Sequence, residues 1–207
     1  MKRITDRPVS DIAFTPSVKA VQARKGSRAA YRRMEQKDGW QTEISENLAA
    51  LIADQRSFFL ATTSSEGAPY IQHRGGPRGF LHVIDGATLA FADFKGNRQF
   101  ITQGNLIDNP KAHIFLIDFA NRQRVKIWGE ARVVEDDPEL LRQLMPPDDK
   151  AQAEQAIVFD VSTWNANCPQ HIPVRYDAED VERALAERDA RIAELEAELR
   201  RVSGDGA

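Results

Sequence analysis

The sequence predicts a mainly β fold, α+β overall, in which a small antiparallel barrel is preceded and followed by helices. Three observations support this fold class. Six or seven short apolar segments lie between residues 57 and 162, turn residues of the hairpin type separate them, and one or two helical segments intervene. A parallel sheet would need a crossover helix between most of its strands, so an antiparallel sheet that curls closed is the better interpretation.

The composition is that of a folded protein of ordinary size. The chain has 207 residues, of which 42% are hydrophobic and 29% charged, and its net charge is −3. These values suit one domain with attachments and exclude collagen-like and disordered chains. A single cysteine, Cys168, cannot form an intramolecular disulfide, and no long apolar run predicts a signal peptide or a membrane span. We therefore expect a cytoplasmic protein that binds no membrane, no nucleic acid and no metal ion.

Residues 1–55 predict a basic, helical leader that packs on the barrel. Ten of the first 38 residues are Lys or Arg and four are Asp or Glu. A weak apolar stripe favours a helix with a solvated basic face, and an arm that contacts phosphates is the alternative. The stripe consists of Val18, Val21, Ala29 and Met34. Residues 43–55 predict a second helix with a stronger, core-forming stripe.

Residues 56–176 predict the barrel itself. Strands are predicted at residues 57–63, 69–74, 80–84, 88–93, 112–117, 123–134 and 156–162. A short helix capped by Asn97 is predicted at residues 98–102, and an acidic helix at residues 137–145. The alternation over residues 123–134 is long enough for a strand that crosses a small barrel.

Residues 177–202 predict an amphipathic helix with coiled-coil character. Its apolar residues follow heptad spacing, with Arg188 at one core position. They are Val181, Leu185, Ile192, Leu195, Leu199 and Val202. About three heptads are few for a helix on its own, so the apolar seam either pairs with its copy in a dimer or lies on the barrel, and pairing is favoured. Residues 203–207 predict a disordered tail.

Two polar clusters predict a site for an anionic ligand. The first combines Gln72, His73 and Arg74 with a glycine-rich turn that lets a ligand approach the backbone. The second, at residues 93–99, joins a strand to a helix, where backbone N–H groups and Arg98 suit a phosphate. Each residue also has an ordinary alternative role, such as helix capping for Asn97 and ion pairing for Arg98. Two such clusters in one barrel favour the ligand site.

These clusters, together with residues 108–112 and the strand through Trp128-Gly129-Glu130-Ala131, resemble the flavin-binding split barrels related to pyridoxamine 5'-phosphate oxidase. The similarity covers roughly half of the chain. It implies that two subunits pair across their barrels and hold FMN at the interface. It also implies that basic residues of the strand and the turn bind the flavin phosphate.

The resemblance also assigns roles to single positions. Asn97-Arg98-Gln99 stands where the oxidases have a Ser-Arg-Lys type of phosphate clamp, which makes Arg98 the firmest candidate. Gln99 stands in place of the lysine of that clamp and so removes one positive charge, for which Arg74 or Lys95 would compensate. Arg124 falls where the family often places a flavin-contacting glutamine, although a shift of one residue selects Gln123.

The segment at residues 164–173 is predicted to be an irregular loop that covers the flavin ring. Gln170 and His171 are its candidate donors to the reduced flavin, and Cys168 is either a reactive thiol or a small packed residue. The Arg-x-His substrate motif of the oxidases is missing, so oxidation of pyridoxamine phosphate itself is not implied.

The function implied by the resemblance is that of an FMN-dependent oxidoreductase with an unidentified small-molecule substrate. Its electron donor would be a molecule such as a reduced nicotinamide. Two alternatives stay open at this stage. One is a non-catalytic protein that stores or senses flavin, haem or deazaflavin, and the other is a nucleic-acid-binding barrel with a basic leader.

Overall fold

The computed structural model describes residues 7–37, 39–145, 152–167 and 169–204. These residues form seven strands and six α-helices, after a short 3-10 helix at Val9–Ile12. The strands β1 to β7 are, in order, Ser57–Thr63, Pro69–Gly75, His82–Asp85, Thr88–Phe94, Lys111–Asp118, Gln123–Val134 and Ala153–Asn167. The helices α1 to α6 are Pro16–Arg24, Arg28–Lys37, Glu46–Asp54, Ile101–Asp108, Pro138–Leu144 and Ala178–Gly204.

The strands form one antiparallel sheet with the order β2-β1-β5-β6-β7-β4-β3. This confirms the α+β class and the antiparallel split barrel predicted from the sequence. The longest ladder joins β6 to β7, and its register shifts between Trp128 and Gly129. A Cβ atom at Gly129 would lie 2.1 Å from the carbonyl oxygen of Asp160, so the close approach of β7 at this point requires glycine.

The core lies inside the curled sheet. Alternate residues of β1 point into it, so that Phe58 and Leu60 are buried while Phe59 lies on the outer face. Helix α3 begins at the cap Ser45, whose side chain accepts a hydrogen bond from the Leu48 N–H, and it buries Leu48 against the same core. Burial of these large apolar side chains is the main source of stability for such a sheet.

The leader is attached to the outer face of the sheet through aromatic and backbone contacts. Trp40 stacks on Trp128 of β6, with ring centroids 4.7 Å apart and an angle of 20° between the planes. The carbonyl oxygen of Gln41 accepts hydrogen bonds from the Trp164 N–H and the Thr163 hydroxyl, each at 2.8 Å. The segment before α3 is thus fixed to β6 and β7.

Several element boundaries differ from the predicted ones. Helix α4 begins at Ile101 rather than residue 98, because Arg98 and Phe100 have left-handed φ values of 56° and 54°, which a helix cannot accommodate. The prediction that Asn97 caps this helix is therefore wrong, since Phe100 holds the capping position.

Strand β7 also differs from its prediction, since it extends from Ala153 to Asn167. Trp164 therefore belongs to a strand, where it pairs with Ile127, and not to the predicted loop. Antiparallel ladder bonds join backbone groups, so polar residues at both ends of β7 continue the pairing despite their weak strand signal.

The chain divides into two compact units. One comprises Met1–Asp118 and Arg124–Cys168, and the other Phe119–Gln123 and Pro169–Ala207. Within the second unit the Arg175 guanidinium lies over the Phe119 ring, 4.9 Å from its centroid. Cys168 and residues 205–207 lie outside the described residues. Among the helices that the structure describes, none combines the length and the apolar character needed to cross a bilayer.

We expect Trp40→Ala to destabilise the protein by about 3–5 kcal/mol, as is typical when a buried tryptophan is truncated. Trp40 is buried and contacts both Trp128 and Phe14, so its removal would detach the leader from the sheet. The measurement is denaturant unfolding monitored by circular dichroism. Trp40→Phe keeps an aromatic ring and should lose much less stability. Equal unfolding midpoints for wild type and Trp40→Ala would show that the Trp40–Trp128 contact does not contribute to the fold.

Candidate functional site

A cavity of about 260 Å³ lies where β2, β4, the start of α4 and the start of β7 meet. Five residues predicted as ligand contacts line it. These are Gln72, Arg74, Asn97, Arg98 and Gln99. The two polar clusters, which are separated by about twenty residues in the sequence, therefore share one cavity.

Strand β2 supplies one wall of this cavity through its alternation. Tyr70, Gln72 and Arg74 are half-buried, while the residues between them are exposed. The side-chain oxygen of Gln72 accepts a hydrogen bond of 2.7 Å from the hydroxyl of Thr102, which is buried in the first turn of α4. This bond fixes the Gln72 amide and links β2 to α4.

Arg74 is the most enclosed cation of the cavity, with 13% of its side chain exposed. One terminal nitrogen forms an ion pair with Asp93 of β4. The second carboxylate oxygen of Asp93 accepts from the side-chain amide of Gln155 at 2.9 Å. The Nε atom of Arg74 is buried and has no hydrogen-bond partner among the described residues. A buried donor without a partner is costly, so an acceptor from a ligand would stabilise it.

The turn before α4 supplies the other wall. The Asn97 side-chain oxygen accepts from the Gln99 N–H at 3.2 Å, which holds the turn between Arg98 and Phe100 in its left-handed conformation. Among the described residues no side chain caps α4 at Phe100. Phe100, Ile101 and Thr102 line the cavity, so the start of α4, where backbone N–H groups have no partner within the helix, lies beside it.

Arg98 is held more loosely than Arg74. Its side chain is 57% exposed, and its Nε lies 3.2 Å from a carboxylate oxygen of Glu154 at the start of β7. Exposed ion pairs of this kind contribute about 0–1 kcal/mol, so an anion in the cavity could replace Glu154 at little cost. The cavity thus combines a fixed arginine with an exchangeable one.

Other predicted contacts lie elsewhere. His73 points to the outer face of the sheet, where the centroid of its ring lies 5.7 Å from that of Phe59. Arg124 lies on the same face, because the adjacent Val125 points into the core.

The remaining predicted contacts lie outside the cavity or are untested. Lys95 does not line the cavity in the described structure, and its backbone N–H donates to the carbonyl of residue 152. Gln170 and His171 are exposed residues of the second unit, and their flavin contacts stay a prediction.

Sequence reasoning missed several residues that line the cavity. They are Tyr70, Thr102, Glu154 and Gln155, and the ion-pair role of Asp93 was missed as well. Alternation along β2 could have found Tyr70, since it shares a face with Gln72. Glu154 and Gln155 reach the cavity because Gln155 pairs with Asp93 in the β4–β7 ladder, a long-range pairing that no local pattern shows.

A second cavity, of about 410 Å³, lies on the outer face of β1, β5 and β6. His113 lines it, and the His113 ring lies 4.8 Å from that of Trp128. Burial lowers the pKa of His113 to about 4, and the positive charge of Lys126 contributes in the same direction. His113 is therefore neutral at physiological pH.

Comparison with known proteins gives a family and a fold. A model of the family described as pyridoxamine 5'-phosphate oxidase matches residues 44–168. The crystal structure of HupZ from Group A Streptococcus is 18% identical, with 64% of this chain and 99% of that chain covered and a TM-score of 0.50. An FMN-binding protein from Syntrophomonas wolfei is 14% identical, with 70% and 97% covered and a TM-score of 0.49. None of the curated proteins matches the chain.

We expect the low pKa of His113 to make stability depend on pH between about 6.5 and about 4. In this range the unfolded chain protonates His113 and the folded protein does not, so the stability present above pH 6.5 is lost as the pH falls towards 4. The measurement is urea unfolding at pH 7 and pH 4.5 for wild type and His113→Gln. The wild type should lose more stability than the variant, and equal losses would contradict the neutral, buried state of His113.

Proposed function

Because the chain belongs to the pyridoxamine 5'-phosphate oxidase family, we propose that it binds FMN and acts as an oxidoreductase. One observation carries this proposal. Arg74 and Arg98, from segments about twenty residues apart, line one cavity beside the uncapped start of α4, and the Arg74 Nε there lacks a partner among the described residues. A phosphate monoester supplies the acceptor oxygens that these donors require.

The residues of the cavity suit a phosphate more than a neutral ligand. Arg74 would bind through its buried Nε while Asp93 keeps the guanidinium in place. Arg98 would turn from Glu154 to the phosphate, and Asn97 and Gln99 would add neutral hydrogen bonds. Hydrogen bonds to charged groups contribute about 1.5–3 kcal/mol each, so the arginines would dominate the affinity.

The flavin would supply the redox chemistry, and the chain would bind, orient and shield it. Gln72, fixed by Thr102, lies in the same wall as Arg74 and would contact the part of the ligand that continues from the phosphate. Lys95, Gln170 and His171 remain proposed contacts from the sequence.

We also propose that the protein is a homodimer through the outer face of β1, β2, β5 and β6. This face carries half-buried aromatic residues such as Phe59 and Phe115, and Ile71 on the edge strand β2 is 64% exposed. A second copy would cover these side chains and stabilise the assembly by the hydrophobic effect. His73 and Arg124 lie on this face and would then act at the interface.

The alternative is a non-catalytic protein that stores or senses a flavin, a haem or a deazaflavin. One observation favours it. Asp93, the less exposed carboxylate of the cavity, already has two partners, Arg74 and Gln155. It is therefore engaged in holding Arg74 rather than placed to exchange a proton with a substrate.

We expect Arg98→Ala to weaken FMN binding by roughly 10- to 150-fold, the effect of losing one hydrogen bond to a charged group. Arg98 is exposed, so the fold should be unaffected. The measurement is titration of FMN fluorescence, with riboflavin as the ligand that lacks the phosphate. Adding Arg74→Ala should weaken FMN binding further, whereas riboflavin affinity should change little in either variant.

Two further variants serve as controls for this experiment. Arg132→Ala removes an arginine that is equally exposed and is paired with Asp160, away from the cavity, and it should leave FMN affinity unchanged. Glu154→Gln removes the competitor of Arg98 and should tighten FMN binding severalfold. If Arg98→Ala and Arg132→Ala bound FMN alike, the assignment of the phosphate site would be wrong.

We expect the FMN-loaded protein to be reduced anaerobically by a reduced nicotinamide, seen as loss of the flavin absorption band. Dithionite provides the control that the bound flavin is reducible. Reduction by dithionite but by no physiological type of donor would favour storage or sensing over catalysis.

A further inference from the structure

We propose that the α6 helices of two copies of this chain pair as a parallel, in-register, two-stranded coiled coil. The proposal concerns the second unit and does not depend on the ligand of the barrel. It rests on an exposed apolar seam, on the charges beside that seam and on the position of Arg188.

The seam is continuous and uncovered. From Val181 to Val202 the seam positions alternate in steps of four and three residues without a break. The apolar seam side chains, Val181, Leu185, Ile192, Leu195, Leu199 and Val202, are each 42–71% exposed. A helix of 27 residues is about 40 Å long and depends on packing of its apolar face for most of its stability. A surface of this form is complementary to its own copy.

The charged residues beside the seam select the parallel orientation. With Leu185 and Ile192 at heptad position a, three of the four e positions within the helix are acidic, namely Glu182, Asp189 and Glu196. In an antiparallel pair the e positions face each other, so carboxylates would oppose carboxylates. In a parallel pair each g position faces the e position of the partner's next heptad, which places Arg191 beside the partner's Glu196. The facing carboxylates at the e positions thus disfavour the antiparallel arrangement, whereas the parallel arrangement gives Arg191 an opposite charge.

The ion pairs within one helix leave Arg191 available for this contact. Arg191 donates to Glu194 at 2.9 Å, and both side chains are exposed. A guanidinium has five N–H donors, so Arg191 can keep this bond and also bind a carboxylate of the neighbouring helix. A carboxylate oxygen of Glu196 lies 4.0 Å from a terminal nitrogen of Arg200, at the distance limit of an ion pair, so Glu196 is also available for a contact with the partner helix.

Arg188 fixes the register of the two helices. It occupies a d position, so in the parallel, in-register pair the two copies of Arg188 share one layer, next to the partner's Asp189 at position e. Each guanidinium can leave the seam towards that carboxylate. A shift by one heptad would place Arg188 against an apolar layer instead. A single polar core residue lowers stability and specifies register, which is the effect we infer here.

The proposal is tested by disulfide trapping in the full chain with Cys168→Ser as background. Val202→Cys and Leu185→Cys, made separately, should each form a disulfide between identical positions, because only a parallel, in-register pair brings both sites within the required Cα separation of about 4.4–6.8 Å. Ala197→Cys, on the outer face of the same helix, is the matched control and should not cross-link. Cross-linking only in a mixture of the two seam variants would show antiparallel pairing, and yields equal to that of Ala197→Cys would overturn the proposal.

A charge exchange tests the orientation independently. In the Val202→Cys background, Arg191→Glu should lower the disulfide yield severalfold, because it sets two carboxylates against each other at the g–e contact. Adding Glu196→Arg should restore the yield. Equal yields for the single and the double exchange would contradict the parallel register. FMN affinity should stay constant in all these variants, which separates this proposal from that for the barrel.

Discussion

A guanidinium that is largely removed from water must be paired, and this requirement joins three distant parts of the chain at the cavity. Arg74 comes from β2, its partner Asp93 from β4, and Gln155, which holds the second oxygen of that carboxylate, from β7. The pairing of β4 with β7 sets Asp93 opposite Gln155, so the sheet topology itself determines where the cation lies. The remaining features of the site are built around this fixed positive charge.

The two arginines of the cavity differ in burial, and this difference gives them different roles. Arg74 has lost most of its contact with water, and its ion pair with Asp93 holds the guanidinium in one orientation. Arg98 retains its hydration and shares a weak, exposed pair with Glu154. Arg74 is therefore already oriented towards its partners before a ligand binds, whereas a ligand that binds Arg98 would displace Glu154 from it. Such an arrangement keeps the charges balanced before binding and allows an anion to enter.

Local patterns were sufficient to predict most of the fold and about half of the proposed site. The apolar alternation along β1 and β6 and the heptad spacing of α6 are patterns among residues close in sequence. The bounds of these three elements were therefore predicted within a few residues. The left-handed turn at Arg98 has no such pattern, because non-glycine residues adopt it only when their surroundings require it. The places of Glu154 and His73 depend on strand pairing and on which sheet face is enclosed, and no nearby residue encodes either.

The attachment of the leader has a consequence for optical studies of this protein. The chain contains three tryptophans, and all of them lie at the junction between leader and sheet. Trp40 and Trp128 stack on each other, and the indole N–H of Trp164 donates to the Glu43 carbonyl. Intrinsic emission therefore reports the environment of this junction. A spectral shift on titration or heating would follow the contact of residues 40–43 with β6 and β7.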